Sequence, residues 1–150
     1  MIIGENVALI ETLGVGLLCN DSRLVRNDEG RTVVQGDPTE AALIVAAQKA
    51  GLSEEEMSER LPRIESIPFE SEYQYMATLH GADHEPKMIY IKVAMEALLD
   101  RCAHALSESG ERTPLDKAFV LRNAEAMAAR GLRVLAFARR EMPSAQRDLE

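Results

Sequence analysis

The run Gly36-Asp37-Pro38-Thr39-Glu40 stands directly ahead of the apolar segment Ala41 to Ala47 and carries the residue types that start a helix. Asp37 suits the N-cap, where a carboxylate accepts from the free amides of the first turn, and Pro38 suits the first helical position. Glu40 falls at the N3 position of a capping box. A first-turn carboxylate is also favoured by the helix dipole. On residue types alone Glu40 therefore has two readings, a cap partner or a carboxylate placed to hold a ligand.

Other candidate chemistry is weaker. His80 and His84 are four apart, but "HGADHE" has the Gly and Asp content of a hairpin tip. Helical i, i+4 spacing is what turns such a pair into a zinc site, and no third ligand stands near. The carboxylates of "SEEEMSERL" read as a solvated helical face. Cys19 and Cys102 both lie in apolar settings, so reduced buried thiols are expected, with a disulfide between them left open by spacing. Neither GxxxxGK[ST] nor GxGxxG occurs, and no Ser-His-Asp or Cys-His arrangement stands out. The residues point to binding, not to self-contained catalysis.

The elements that must position these residues follow from periodicity and punctuation. A helix is expected from about Asn6 to Leu18, weakened by Gly14 and Gly16. "RTVVQ" (31–35) reads as a short strand, then the capped helix runs from Pro38 to about Ala50 and stops at Gly51. Ser53 and Glu56 start an acidic helix that ends near Leu61, before Pro62. "RIESIPF", "QYMATLH" and "KMIYIKV" are strand candidates, the last two forming a hairpin about "GADHEP". A short helix, "AMEALLDRCAHAL", comes next. Thr113, Pro114 and Asp116 open a long helix ended by Gly131, with Val120, Ala124, Met127 and Ala128 on one face. "LRVLAFARR" is expected as a central last strand, with Arg133 on the same face as Leu135 and Phe137. This order implies an α+β fold with an antiparallel or mixed sheet.

A chain of 150 residues forms one domain. Its 46% hydrophobic and 28% charged content is that of an ordinary globular chain. The formal net charge of -8 argues against nucleic acid as a partner. No apolar run approaches the ~20 residues of a membrane span. The start lacks a basic n-region and carries Glu5 and Glu11, unlike a signal peptide, so the chain is expected to face the cytosol.

Four segments together resemble one family. "GDPTEAAL" from Gly36, "IPFESEYQYMATLH" from Ile67, "IKVAMEALLDRC" from Ile91 and "GLRVLAFA" from Gly131 are similar, in order, to the nucleotide-binding (N) domain of P-type cation-transporting ATPases. "LLCND" at Leu17 to Asp21 is similar to the segment where that domain usually begins. The forms look most like the calcium-pump and sodium-pump branch.

The resemblance implies a twisted antiparallel β-sheet flanked by helices. It further implies that residues 1–150 are a single nucleotide-binding domain excised from a larger membrane ATPase. Such a domain grips the adenosine end of ATP and presents the γ-phosphate to the phosphorylation domain, whose DKTG aspartate this chain lacks. The fragment would not be catalytic alone.

Residue by residue, Phe69 matches the aromatic that stacks on adenine, Glu40 the acceptor of the exocyclic amine, and Met76 a methionine near the base. Lys92 matches the lysine of KGAPE, Val93 and Ala94 continue that motif, and Arg133 matches an arginine near the β-phosphate. Two departures stand out. Val93 replaces a glycine that lets backbone approach the base, and Gln74 stands where many members carry a lysine; Ser71 replaces an arginine at a more variable position. These departures raise the alternative of a degenerate domain acting as a structural or regulatory interaction module.

The implied ligand is ATP, with Mg2+ accompanying the nucleotide in the intact pump and no metal bound by the domain itself. The implied partners are the phosphorylation and actuator domains, with no direct membrane contact and a monomeric isolated domain. The implied setting is the cytoplasmic side of an integral membrane protein. Calcium is the cation suggested by the branch.

Overall fold

The computed structural model describes residues 5–70, 72 and 74–149; Ser71 lies outside the described residues. Helix α1 (Val7–Leu18) opens on Asn6, whose Oδ1 accepts from the Leu9 amide at 2.9 Å. One of its interior glycines, Gly14, has a packing reason. A Cβ there would stand 2.8 Å from Met57 Cε of the helix Glu54–Arg60, so the small residue lets the two helices approach.

A hairpin follows, β1 (Arg23–Arg26) with β2 (Thr32–Gln35). Only its second strand is visible as a strand in the sequence. The turn is tied by Asn27, whose Oδ1 accepts from the amides of Glu29 and Arg31. Helix α2 (Pro38–Lys49) and α3 (Glu54–Arg60) form where their caps stand. The Ser53 hydroxyl accepts from the Glu56 amide at 3.3 Å.

The main sheet is antiparallel, in the order β3 (Arg63–Ile67), β4 (Tyr75–His80), β5 (Lys87–Val93) and β8 (Ala136–Met142). Helix α4 (Met95–Leu99), the hairpin β6 (His104–Leu106) with β7 (Arg112–Pro114), and helix α5 (Lys117–Ala129) lie between β5 and β8 in the chain. The α+β architecture with an antiparallel sheet is as expected, and β4 and β5 form the expected hairpin.

Several local expectations are corrected. The helix expected over 94–106 stops at Leu99, because Ala105 and Leu106 pair with Thr113 and Arg112 across a turn closed by Ser107. Thr113 and Pro114 thereby belong to a strand, and the long helix begins after its N-cap Asp116, which accepts from the Phe119 amide at 2.9 Å. Of the expected apolar face of α5 only Ala124 is buried, while Met127 stays 39% exposed. The last strand starts at Ala136 and lies at an edge of the sheet, not its centre.

Strand alternation gives the sheet two faces with separate cores. Register puts Met76 beside Lys92, and Lys92 beside Phe137. This face meets α1, where Val15, Leu18 and Cys19 pack with Met76 and Tyr90. On the other face Val93, Leu98 and Ala136 form a cluster with α4, against which Cys102 packs. The two thiols therefore sit on opposite faces, both free. Burial pushes the Cys19 thiol pKa up.

His80 ends β4 almost wholly buried, with Nδ1 donating to the Leu61 carbonyl at 2.9 Å and Nε2 without a partner among the described residues. Burial brings its pKa down from 6.5 to about 4. Between those values the unfolded chain binds the extra proton, so stability is full above pH 6.5 and falls as the pH drops. The expected loss by pH 4 is on the order of 3 kcal/mol. Urea midpoints measured across this range should show it, and His80→Phe should flatten the dependence.

Candidate functional site

The first turn of α2 shows where the Glu40 carboxylate goes. Asp37 Oδ1 accepts from the amides of Thr39 at 2.7 Å and Glu40 at 3.2 Å, so the N-cap forms as expected. The Glu40 amide first, then that of Thr39, holds the Asp37 carboxyl below its ordinary pKa. The reciprocal half of the capping box does not form. The Asp37 amide donates instead to Ser22 Oγ at 2.8 Å, which frees the Glu40 carboxylate for other partners.

Those partners come from far along the chain. Lys92, on the α1 face of β5, donates from Nζ to Glu40 Oε1. The Ser22 hydroxyl donates to Glu40 Oε2 at 2.8 Å. Both charged side chains are largely withdrawn from water, at 7% exposure for Lys92 and 17% for Glu40. A charge in such a place must be paired, and here each is paired with the other.

The connection 19–22 after α1 supplies the brace. Asn20 Nδ2 donates to the carbonyls of Gly16 and Glu40, both at 2.9 Å, and its Oδ1 accepts from the Ser22 amide. Arg63 at the start of β3 fixes the same turn, donating to the carbonyls of Leu18 and Asn20 and to Asp21. Thus Lys92 of β5 and Ser22 meet on the Glu40 carboxylate, while Asn20 and Arg63 of β3 hold the turn that carries Ser22.

The other expected site residues fall in different places. Met76 is the cross-strand neighbour of Lys92 and is 1% exposed, part of the core under the pair. Phe69 lies on the connection 68–74, 58% exposed, outside the three buried clusters. Val93 points to the opposite face from Lys92, where its side chain packs on Leu98 and Ala136. Ala94 is exposed at the N-cap of α4. Arg133 precedes β8 and is not in a strand; it is exposed and donates to the Thr39 hydroxyl at 3.2 Å, which brings it to the first turn of α2. Gln74 is exposed, at φ +57, with its amide bound to the Glu70 carbonyl.

Sequence reasoning missed Ser22, Asn20 and Thr39. "LLCND" marked only a domain start there, and nothing local distinguishes Ser22 from a turn serine. Among the described residues no group of three His, Cys, Asp or Glu could hold a metal ion. No helix among them is long and apolar enough to cross a membrane.

The Glu40 carboxylate thus accepts from an ammonium on one oxygen and a hydroxyl on the other, at the start of a helix. The family model for the P-type ATPase cytoplasmic domain N matches residues 8–150. The chain belongs to that family. This N domain is 48% identical over 132 residues to the cation-transporting ATPase pma1 of Synechocystis sp., covering 88% of this chain and 14% of that protein. It is 46% identical over 136 residues to the probable cation-transporting ATPase F of Mycobacterium tuberculosis, covering 89% and 15%. It is 36% identical over 136 residues to calcium-transporting ATPase 1 of Bacillus cereus, with the same shares. The N domain thus spans about a seventh of the length of these relatives.

Proposed function

We propose that this N domain binds the adenosine end of ATP and presents the γ-phosphate to the phosphorylation domain of a cation-transporting parent pump. The observation that carries this reading is the Glu40 carboxylate, held by Lys92 and Ser22 at the first turn of α2 with lone pairs left for a ligand amine. Phe69 supplies an exposed ring for stacking, and Met76 and Lys92 form the floor beside the base. The backbone of Val93 and Ala94 lines its edge, and Arg133, at the α2 start, reaches the phosphates. Mg2+ travels with the phosphates. The phosphorylation and actuator domains are the partners, and the whole assembly belongs to an integral membrane protein with this domain on its cytoplasmic side. The relatives' names support a cation as cargo, and the branch resemblance suggests calcium.

With one stack and a few hydrogen bonds against the entropy of association, the affinity should lie near ~1 mM. Titration of ATP, ADP, AMP and GTP, followed by backbone amide shifts, should move Glu40, Phe69 and residues 92–94, with ATP ahead of GTP. Phe69→Ala should weaken ATP about fivefold to 150-fold, the worth of ~1–3 kcal/mol of stacking, and leave the melting temperature unchanged. A response to no nucleotide would favour the interaction-module reading, which the mutual occupation of Glu40 and Lys92 also suits.

A further inference from the structure

We propose that Ser22 is a positioning residue for base recognition, holding Glu40 so that its carboxylate meets the ligand as an acceptor for a 6-aminopurine and against a 6-oxopurine. This rests on the ATP-binding reading above. Ser22 is 4% exposed and lies 18 residues before Glu40 in the chain. Its Oγ stands 2.8 Å from the Asp37 amide nitrogen, 2.8 Å from Glu40 Oε2 and 3.2 Å from the Asp37 carbonyl.

The direction of this relay follows from donor chemistry. An amide N–H can only donate, so the Ser22 oxygen accepts there. Its single proton then goes to the nearer acceptor, the carboxylate oxygen. A charge-assisted bond of that kind is the stronger choice as well. Lys92 brings protons to the other oxygen. Both protein partners are donors, so the carboxylate keeps lone pairs for the base and has no proton to give. An exocyclic amine fits such a group, whereas a keto oxygen in the same place meets lone pair against lone pair.

Gly36 belongs to the same device. It sits at φ +117, and a Cβ there would stand 2.4 Å from Ser22 Oγ. Only glycine leaves the hydroxyl its place. Without the hydroxyl the carboxylate would keep Lys92 alone and could rotate about its last torsion, which is broad for glutamate.

The test is a paired titration of ATP and ITP, whose bases differ in the 6-amino against 6-oxo group, into the wild-type chain, Ser22→Ala and Ser22→Thr. Wild type and Ser22→Thr should bind ATP roughly tenfold more tightly than ITP, and Ser22→Ala should lose most of that ratio through weaker ATP binding alone. An unchanged ratio in Ser22→Ala, with ATP still bound, overturns the role of Ser22 and spares the ATP reading. Wild type that binds neither nucleotide removes that reading and this proposal with it. Where Ser22→Ala does not hold its fold by circular dichroism, wild type decides. ATP should move the Glu40 carboxyl carbon and the Ser22 amide together, and ITP should move neither. A Glu40 shift without Ser22 overturns the proposal.

Discussion

Replacing Lys92 with methionine should destabilise the domain by about 3 kcal/mol, the lower end of what breaking a buried ion pair costs. The stem of lysine is replaced by a side chain of similar reach, so little packing is lost. What remains is the Glu40 carboxylate, 17% exposed, with the Ser22 hydroxyl and without its countercharge. For a domain of this size the melting temperature should fall by roughly 6–12 °C. The double variant Glu40→Gln with Lys92→Met should recover much of that loss, since no unpaired charge is left in place. A double-mutant cycle therefore reads the coupling directly. ATP affinity should fall in the single and in the double variant alike, because both lose the polarity of the site. A melting temperature within a degree of wild type for Lys92→Met would show that the pair does not hold α2 to β5.

Met76→Ala should destabilise by about 2–5 kcal/mol, the usual range for emptying a core position of this size. The side chain is 1% exposed and packs among Val15, Leu18, Cys19 and Tyr90. The neighbours belong to α1 with its C-cap and to β5, so collapse around the void would have to move whole elements. Met76→Leu keeps the volume and should cost less than about 1.5 kcal/mol. Comparing ATP binding in Met76→Leu with wild type then separates floor from contact. Unchanged affinity would mean that Met76 supports Lys92 from below, and a clear loss would mean that the thioether itself meets the base.

The fold was legible wherever its causes are short-range. Caps at Asp37, Ser53 and Asp116 announce the helices that follow them, because the bonds they make span two or three residues. The β4–β5 hairpin is visible in the same way, through alternation on either side of a turn. The misreadings all involve competition between segments. "CAHAL" has the apolar content of a helix end, yet it pairs with residues beyond the turn at Ser107–Glu111. "LRVLAFARR" is apolar enough for a central strand, yet β5 is its sole partner among the described residues and its first four residues precede the strand.

The site divides along the same line. From sequence alone come the helix start at Asp37, the carboxylate of Glu40 in its first turn, and a family resemblance that named Phe69, Met76, Lys92, Val93, Ala94 and Arg133. Only the tertiary structure decided that Glu40 leaves the capping box, since the Asp37 amide found Ser22 first. It also decided that Glu40 pairs with a lysine 52 residues on, and that Lys92 and Val93, adjacent in the chain, serve opposite faces of the sheet. A cap is a bond between near neighbours and can be read from spacing. The partner of a buried charge is whichever opposite group the packing of distant elements brings to it, and no local pattern records that.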